Sequence, residues 1–212
     1  TDTTPAGGSF NYTASTSVFD LDTNSTVVKT STSSVTVSRD ATGTMGGTTA
    51  DNILVDTLTS ATTMDAGDGN DVLVSTATSG GDTLIGGAGN DMLTGGAGAD
   101  TFVWNFSDRG TLANPARDVI TDFDTASYAS GGDRLDLRDI LQGTATTAVV
   151  LDQYLDFSKQ GSDTVINVRP TGAGGEMTQQ IVLQGVDLTS NGTLSDQVII
   201  QDLLTKGKLQ TD

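Results

Sequence analysis

The sequence predicts a mainly all-β protein, with a repetitive middle region followed by a β-rich cap that carries short helices. Three observations support this fold class. Glycine-rich nine-residue units recur between residues 46 and 103, each with an aspartate and an apolar residue in phase. Runs of alternating apolar and polar residues follow, as is typical of half-buried strands. Only 35% of the 212 residues are hydrophobic and 26 are glycine, so the core is expected to be modest.

The acidic side chains are almost all aspartate. The formal net charge is −17, and Glu176 is the only glutamate beside 26 aspartates. Aspartate suits tight turns and offers a hard oxygen ligand close to the backbone. The ten lysines and arginines do not cluster, which disfavours a nucleic-acid partner. The absence of Cys and His excludes thiolate and imidazole catalysis and ordinary zinc or copper sites.

The sequence also lacks the features of membrane insertion and of a cleavable leader. It has no run of 18 apolar residues, so we expect no membrane-spanning segment. Its first residues, TDTTP, lack the basic start and apolar stretch of a signal peptide. An export signal, if there is one, is therefore expected elsewhere in the chain.

The nine-residue period is clearest in two adjoining units, GGAGNDMLT at 86–94 and GGAGADTFV at 95–103. A nearly complete copy, AGDGNDVLV, occupies 66–74, a degenerate one, ATSGGDTLI, occupies 77–85, and a weaker one, GGTTADNIL, occupies 46–54. The acids in phase are Asp51, Asp71, Asp82, Asp91 and Asp100. The apolar residues in phase are Ile53, Leu73, Leu84, Leu93 and Phe102.

This period favours a folded unit over a flexible linker. Six glycine-rich residues suit a tight turn, because their backbone can take positive φ, and the next three suit an extended segment that buries one apolar side chain. A linker would not hold an aspartate and an apolar residue in phase. An EF-hand is excluded because its ligand order and terminal Glu are missing, and no Lys follows a glycine cluster as in a phosphate-binding loop.

The pattern resembles the G-G-x-G-x-D-x-U-x repeat of RTX calcium-binding proteins. This resemblance implies a parallel β-roll, in which two units complete a coil and units two apart stack. Asp51, Asp71 and Asp91 would then form one row, and Asp82 and Asp100 a second. Stacked carboxylates repel unless a cation lies between them. Calcium suits such a position, since it accepts six to eight oxygen ligands in flexible geometry.

The residues after the repeats predict a compact cap, which the exposed apolar end of a roll requires. Alternating runs predict strands at 118–124, 133–139, 163–169 and 178–184. The glycine-rich residues 170–177 predict that the last two strands form a hairpin. A helix is predicted from Ser195 or Asp196 to about Thr205. Its expected apolar face consists of Val198, Ile199, Leu203 and Leu204.

The order of motifs over residues 66–212 resembles the type I secretion C-terminal target domain of large RTX adhesins. The motifs are GGAGNDMLTGGAGADTFVW, DVITDFD, DRLDL, DTVINV, IVLQGVDL and LSDQVIIQDLL. Three regions are predicted on this basis. Residues 1–45 are a β-rich N-terminal cap or the tail of a preceding extender domain, 46–103 are the calcium-binding β-roll, and 104–212 are the C-terminal cap and secretion target region.

This resemblance implies a module for calcium-dependent folding and type I secretion, at the C-terminus of an adhesin with roles in cell adhesion and biofilms. The implied location is secreted or on the bacterial cell surface. The implied partners are an ABC transporter, a membrane fusion protein and an outer-membrane channel, and the chain is expected to be a non-catalytic monomer. Two alternatives stay open. One is the RTX tail of a secreted hydrolase or epimerase, and the other is a calcium-dependent ligand-binding module.

The resemblance further implies several Ca²⁺ ions between stacked turns, held by backbone carbonyls and by the aspartates. On the first edge it implicates Asp51, Ala66, Gly67, Asp68, Gly69, Asp71, Gly86, Gly87, Ala88, Gly89 and Asp91. On the second edge it implicates Gly81, Asp82, Gly95, Gly96, Ala97, Gly98 and Asp100. Asp118, 18 residues after Asp100, is predicted to close the second row. Asp122 and Asp133 are further candidates, with surface or capping roles as the alternative.

Overall fold

A computed structural model describes residues 43–142 and 146–211, together with the backbone of 16–20 and 25–29. The strands are β1 (Thr16–Asp20), β2 (Ser25–Lys29), β3 (Thr44–Thr48), β4 (Ile53–Asp56), β5 (Thr63–Gly67), β6 (Val72–Ser75), β7 (Thr83–Ile85), β8 (Met92–Thr94), β9 (Thr101–Val103), β10 (Ala116–Ile120), β11 (Arg134–Asp136), β12 (Leu155–Gln160), β13 (Asp163–Val168), β14 (Gln179–Leu183) and β15 (Leu209–Gln210). The helices are α1 (Ala148–Leu151) and α2 (Asp196–Thr205), with a 3₁₀ turn at Tyr128–Ser130. The predicted fold class, mainly β with short helices, is confirmed.

From β3 to β11, successive strands alternate between two sheets. One sheet has the order β12-β13-β14-β10-β8-β6-β4, and the other has the order β15-β11-β9-β7-β5-β3. All pairings among β3 to β11 are parallel. Each coil of the chain therefore adds one strand to each sheet, which is the predicted β-roll.

One apolar side chain from each strand points between the sheets, and these side chains stack in two ladders. The first ladder consists of Leu54, Leu73, Leu93, Ile120 and Leu183. The second consists of Met45, Met64, Leu84, Phe102, Leu135 and Leu209. All of them are buried, and full burial of such a side chain stabilises the fold by about 1.5–3 kcal/mol. The ladders therefore form the core that holds the turns in place.

The first predicted unit is one residue out of register. Ile53 pairs with Val72, and Leu54 pairs with Leu73. The apolar position belongs to the buried Leu54, because the half-buried Ile53 lies on the other face of the strand. The same shift moves the acidic position from Asp51 to the next residue.

One coil strand was not predicted at all. Met64 in β5 pairs with Met45 on one side and with Leu84 on the other. The preceding turn, TLTSAT at 57–62, has no glycine and no acid. The repeat pattern therefore passes over this turn, although its backbone follows the roll.

The sheets continue without a break past residue 103, where the predicted roll ends. Strand β10 pairs with β8 and strand β11 pairs with β9, both in parallel. Strands β14 and β15 then add to the ends of the two stacks. The division of the chain into three regions stays a prediction.

The cap contains the predicted hairpin, formed by the antiparallel strands β13 and β14. It also contains β12, which the sequence interpretation missed, paired with β13. Helix α2 spans the predicted residues, but its buried face includes Ile200, whereas Val198 is 51% exposed. The predicted apolar face is therefore corrected at that position. Among the described residues, no helix has the length and apolar character needed to span a membrane.

Strands β1 and β2 form an antiparallel pair of their own. Most of the predicted N-terminal region, residues 1–45, lies outside the described residues. Its role as an N-terminal cap or as the tail of an extender domain stays a prediction.

Candidate metal centre

The turns on the first edge stack backbone against backbone. Gly87 and Gly89, the second and fourth residues of their turn, have φ of +94° and +138°. A Cβ on Gly89 would overlap the carbonyl oxygen of Gly69 in the preceding coil, and one on Gly87 would overlap that of Gly67. Glycine is therefore required here both for the backbone angle and for the close approach. The result is a column of turns whose carbonyl groups lie between coils.

Replacing Gly89 with Ala is expected to destabilise the roll by about 1–3 kcal/mol from backbone strain alone, with the overlap on Gly69 adding to the loss. Gly46→Ala is the matched control, because a Cβ there meets nothing within 4 Å. Thermal unfolding in calcium measures both variants. Equal melting temperatures for the two would contradict the close stacking of the turns.

The first row of acidic side chains links successive coils through backbone hydrogen bonds. The N–H of Asn52 donates to Oδ1 of Asp71 (2.6 Å), and the N–H of Asp71 donates to Oδ1 of Asp91 (2.8 Å). The N–H of Asp91 donates in turn to Oδ1 of Asp118 (2.9 Å). The predicted place of Asp51 at the head of this row is therefore wrong, and Asn52 occupies it.

The second row repeats this arrangement on the opposite edge. The N–H of Thr62 donates to Oδ1 of Asp82, and the N–H of Asp82 donates to Oδ1 of Asp100, both at 2.7 Å. The N–H of Asp100 donates to Oδ1 of Asp133 (3.0 Å). Each carboxylate thus accepts a hydrogen bond from the coil that precedes it in sequence.

The predicted position of Asp118 in the second row is also wrong. Asp118 follows Asp91 in the first row, and Asp133 follows Asp100 in the second. The cause is the long turn after β9, residues 104–115, which widens the spacing in the first row to 27 residues. The 18 residues between Asp100 and Asp118 match the repeat length without reflecting a stacked pair.

In four of these side chains the second carboxylate oxygen is buried and has no hydrogen-bond partner. These side chains are Asp71, Asp82, Asp91 and Asp100. Buried polar atoms are nearly always paired, and an unpaired carboxylate oxygen is costly. The free oxygen of Asp100 faces its own turn, since a Cβ on Gly95 would lie 2.5 Å from it. The four Oδ2 atoms therefore have the chemistry of metal-ligand oxygens.

The chemistry of these positions fits calcium. Among the described residues, no three acidic side chains converge on one point. A cation in the turns would therefore need backbone carbonyls in addition to aspartate oxygens. Calcium readily takes this mixture of ligands, whereas magnesium demands octahedral geometry and gives up its waters reluctantly.

Burial makes the charged form of these aspartates unfavourable in the metal-free chain. It raises the pKa of Asp71 to about 6 and that of Asp100 to about 7, although backbone hydrogen bonds partly offset the effect. Burial also raises the pKa of Asp91, and the neighbouring charge of Asp118 raises it further. A bound cation would favour the ionised forms and remove this penalty.

Asp118 differs from the other members of its row because both its oxygens have partners. Its Oδ2 accepts hydrogen bonds from Nε1 of Trp104 (2.6 Å) and from Nε2 of Gln179 (2.8 Å). All three side chains are buried. Neither donor was predicted, because the indole and the amide come from parts of the chain without a repeat. The first row therefore ends on a carboxylate satisfied by protein donors.

The second row ends near the buried ammonium group of Lys208. Oδ2 of Asp133 accepts a hydrogen bond from the N–H of Asp124 (2.7 Å). The Nζ of Lys208, 1% exposed, donates to the carbonyl oxygens of Asp124 and Ala126 and lies 4.4 Å from the ring centroid of Phe123. Burial lowers the pKa of Lys208, and the charge of Asp133 opposes that shift. The sequence offered no signal for this lysine.

The remaining acidic candidates lie nearer the surface. Oδ1 of Asp51 accepts a hydrogen bond from the N–H of Asn70 (2.9 Å), one position outside the first row. The carboxylate of Asp122 accepts the N–H groups of Gly95 (3.0 Å) and Gly96 (2.8 Å). Asp68 is exposed at the third position of its turn. These placements leave their role as metal ligands a prediction.

Comparison with known proteins identifies the repeats. Residues 76–103 match the family model of the RTX calcium-binding nonapeptide repeat (4 copies). The chain is similar to the solution structure of the AlgE6R2 subunit from the Azotobacter vinelandii mannuronan C5-epimerase, with 28% identity, a TM-score of 0.53, and coverage of 81% of this chain and 94% of that chain. The AlgE6R3 subunit of the same epimerase gives 28% identity, a TM-score of 0.48, and coverage of 70% and 77%. No curated protein sequence matches.

These findings agree with the geometry of the turns. The chain carries RTX calcium-binding repeats and has the RTX β-roll fold of the AlgE6R2 subunit. The matched residues contain the second-row turns of Asp82 and Asp100 together with the first-row turn of Asp91. RTX repeats are typical of secreted bacterial proteins.

Proposed function

We propose that this chain is a calcium-dependent folding module of a secreted bacterial protein. The observation that carries this proposal is the set of buried Oδ2 atoms without partners in Asp71, Asp82, Asp91 and Asp100. Buried acceptors of this kind suit an ion better than they suit an active site, and those of Asp91 and Asp100 face the first residue of their own turns. The same four residues belong to the turns with the RTX pattern.

In this proposal, the aspartates and the turn carbonyls together coordinate the ions. Asp91 and Asp100 would each offer Oδ2 to an ion while their Oδ1 atoms hold the preceding coil. Without calcium, the like charges of each row repel and burial disfavours their ionised forms. A chain in calcium-poor cytoplasm therefore stays unfolded and able to thread a channel. Outside the cell, calcium binding favours the folded roll, since metal affinity becomes folding free energy.

We further propose that the host protein is a large adhesin exported by a type I apparatus of ABC transporter, membrane fusion protein and outer-membrane channel. The support is the order of motifs after the roll, which resembles the secretion target region of RTX adhesins. The final motif, LSDQVIIQDLL, contains helix α2. In this proposal the segment that contains α2 carries the export signal.

A secreted epimerase has equal support as the full-length protein to which this chain belongs. The AlgE6R2 subunit, to which this chain is similar, comes from a mannuronan C5-epimerase. The roll would then be a non-catalytic tail of a secreted polysaccharide-modifying enzyme. A direct assay of the full-length host separates the two, because an adhesin retains cells on a surface and an epimerase converts mannuronan residues.

Deleting residues 195–212 from a passenger fusion is expected to reduce export through a type I apparatus at least about tenfold. The reason is that this deletion removes α2, the proposed signal, while it keeps the sequence of every acidic turn; it also removes Lys208 and β15, which pairs with β11. Secreted passenger, measured in the culture supernatant beside total passenger in the cells, gives the result.

Lys208→Met is the matched control for this deletion. It removes the buried ammonium group that donates to the carbonyl oxygens of Asp124 and Ala126, but it keeps the whole α2 sequence. We expect this variant to be exported at the intact level. Equal loss in both variants would assign the segment a structural role only, and normal export of the deletion would overturn the signal proposal.

A further inference from the structure

We propose that the turn of residues 57–62 contains a further cation site, in which Asp56, immediately before the turn, supplies the carboxylate in place of the missing acid at the sixth position. This site lies outside the RTX pattern, since the turn has Thr62 where other turns have aspartate. The inference rests on the proposed calcium-binding function of the roll and adds a site to it.

Asp56 has the features of the repeat aspartates without belonging to a repeat. It is 1% exposed, and its Oδ2 is buried without a hydrogen-bond partner. Its Oδ1 accepts a hydrogen bond from the N–H of Leu58 (3.0 Å) in this turn. One oxygen of Asp56 therefore orders its turn, whereas Oδ1 of Asp91 and of Asp100 holds the preceding coil, and in all three residues Oδ2 has no hydrogen-bond partner.

The position of Asp56 explains how it can replace a sixth-position acid. Asp56 pairs with Ser75, and the residue before Ser75, Val74, pairs with Thr94, so Asp56 corresponds in register to Gly95, the first residue of its own turn. In that turn a Cβ on the first residue would lie 2.5 Å from Oδ2 of Asp100. A side chain at the first position therefore enters the space that the sixth-position carboxylate occupies elsewhere.

The sixth position of this turn has no carboxylate. The N–H of Thr62 donates to Oδ1 of Asp82, so Thr62 stands where Asp82 and Asp100 stand in the next coils. Its hydroxyl is short and uncharged, and it donates to the carbonyl oxygen of Ser60 (3.3 Å).

The adjoining coil supplies the second acid. Oδ2 of Asp82 is also buried and unpartnered. A cation between these two turns would thus have one carboxylate from each, Asp56 from the first and Asp82 from the second. Two carboxylate oxygens without partners in consecutive coils favour a divalent cation. We expect this cation to be calcium, because calcium fits the other turns of the roll.

Calcium bound per chain, counted by equilibrium dialysis of the full chain at saturating free calcium, tests the inference. Asp56→Asn is expected to bind one ion fewer than the wild type, because the amide lacks the negative charge. Asp65→Asn removes an equal charge from an exposed position of the adjacent strand β5 and is expected to bind the wild-type number.

The double variant Asp56→Asn/Thr62→Asp distinguishes the loss of a ligand from a general folding defect. It returns a carboxylate to the sixth position and is expected to restore the missing ion. The inference fails if Asp56→Asn binds the wild-type number, or if the double variant stays short of it. A wild-type chain that binds no calcium would instead overturn the proposed function of the whole roll, so the two failures are distinguishable.

Discussion

Removing calcium with an excess of chelator is expected to abolish most of the far-UV β-sheet signal of the chain, and restoring calcium is expected to return it. The physical reason lies in the two acidic rows, whose buried oxygens lose their only suitable partner. The net charge of −17 adds a general repulsion that opposes compaction. Circular dichroism during a calcium titration measures the change, with a midpoint of about 10⁻⁴–10⁻³ M expected for an extracellular module.

Two controls make this result specific. Magnesium at the same concentration should restore little of the signal, because it fits carbonyl-rich turns poorly. Sodium chloride at equal ionic strength separates charge screening from binding. A chain equally rich in β-structure with and without chelator would contradict the coupling of calcium to folding.

Asp91→Asn is expected to act in opposite directions on the metal-free and the calcium-bound chain. The amide oxygen still accepts the N–H of Asp71, but the buried negative charge, disfavoured by burial and by Asp118, is gone. The metal-free fold should therefore be stabilised by about 2 kcal/mol. Calcium affinity should fall by about tenfold or more, since a ligand charge is lost.

The osmolyte trimethylamine oxide, which favours compact states, gives access to the metal-free fold. Less osmolyte should be needed to fold Asp91→Asn than the wild type, and more calcium should be needed when the osmolyte is absent. The exposed Asp65→Asn should change neither value appreciably. A variant that requires more osmolyte than the wild type would show that the charge at Asp91 does not oppose folding.

Acid should act on the metal-free wild type in the same direction. The folded-state pKa values of Asp71 (about 6) and Asp100 (about 7) lie above the ordinary value of 3.8. The folded chain thus binds more protons than the unfolded chain between about pH 4 and 7. Metal-free stability should therefore be greatest at the acidic end of that window and fall as the pH rises through 6 and 7. The stabilisation that bound calcium provides should instead increase as the pH rises, because protons compete with calcium for the same oxygens.

The sequence predicted the part of the structure that repeats. Its nine-residue period placed Leu73, Leu93 and Phe102 in the core and Asp91 and Asp100 in the turns, because each coil repeats the same backbone. The register failed at the first unit, where Ile53 and Leu54 offer two adjacent apolar side chains. Only the pairing with β6 decides between them.

The features that close the roll could not be predicted in the same way. Asp118 and Asp133 join their rows across insertions that change the spacing to 27 and 33 residues. The partners of Asp118, Trp104 and Gln179, come from segments that are distant in sequence. Lys208 is one lysine in a short polar segment, and its burial depends on where β15 pairs. Contacts of this kind are set by tertiary packing, which a local pattern does not encode.

The direction of the carboxylate hydrogen bonds gives the roll a polarity of assembly. In both rows each aspartate accepts the N–H of the preceding coil, so these carboxylates of a finished coil are placed to receive the chain on its N-terminal side. The last acceptors, Asp118 and Asp133, are already held by protein donors and lie next to the cap. The cap can therefore serve as a nucleus from which coils are added one at a time towards the N-terminus, as in other linear repeat arrays. For a chain that leaves a channel C-terminus first, each newly folded coil would prevent the chain from moving backward through the channel.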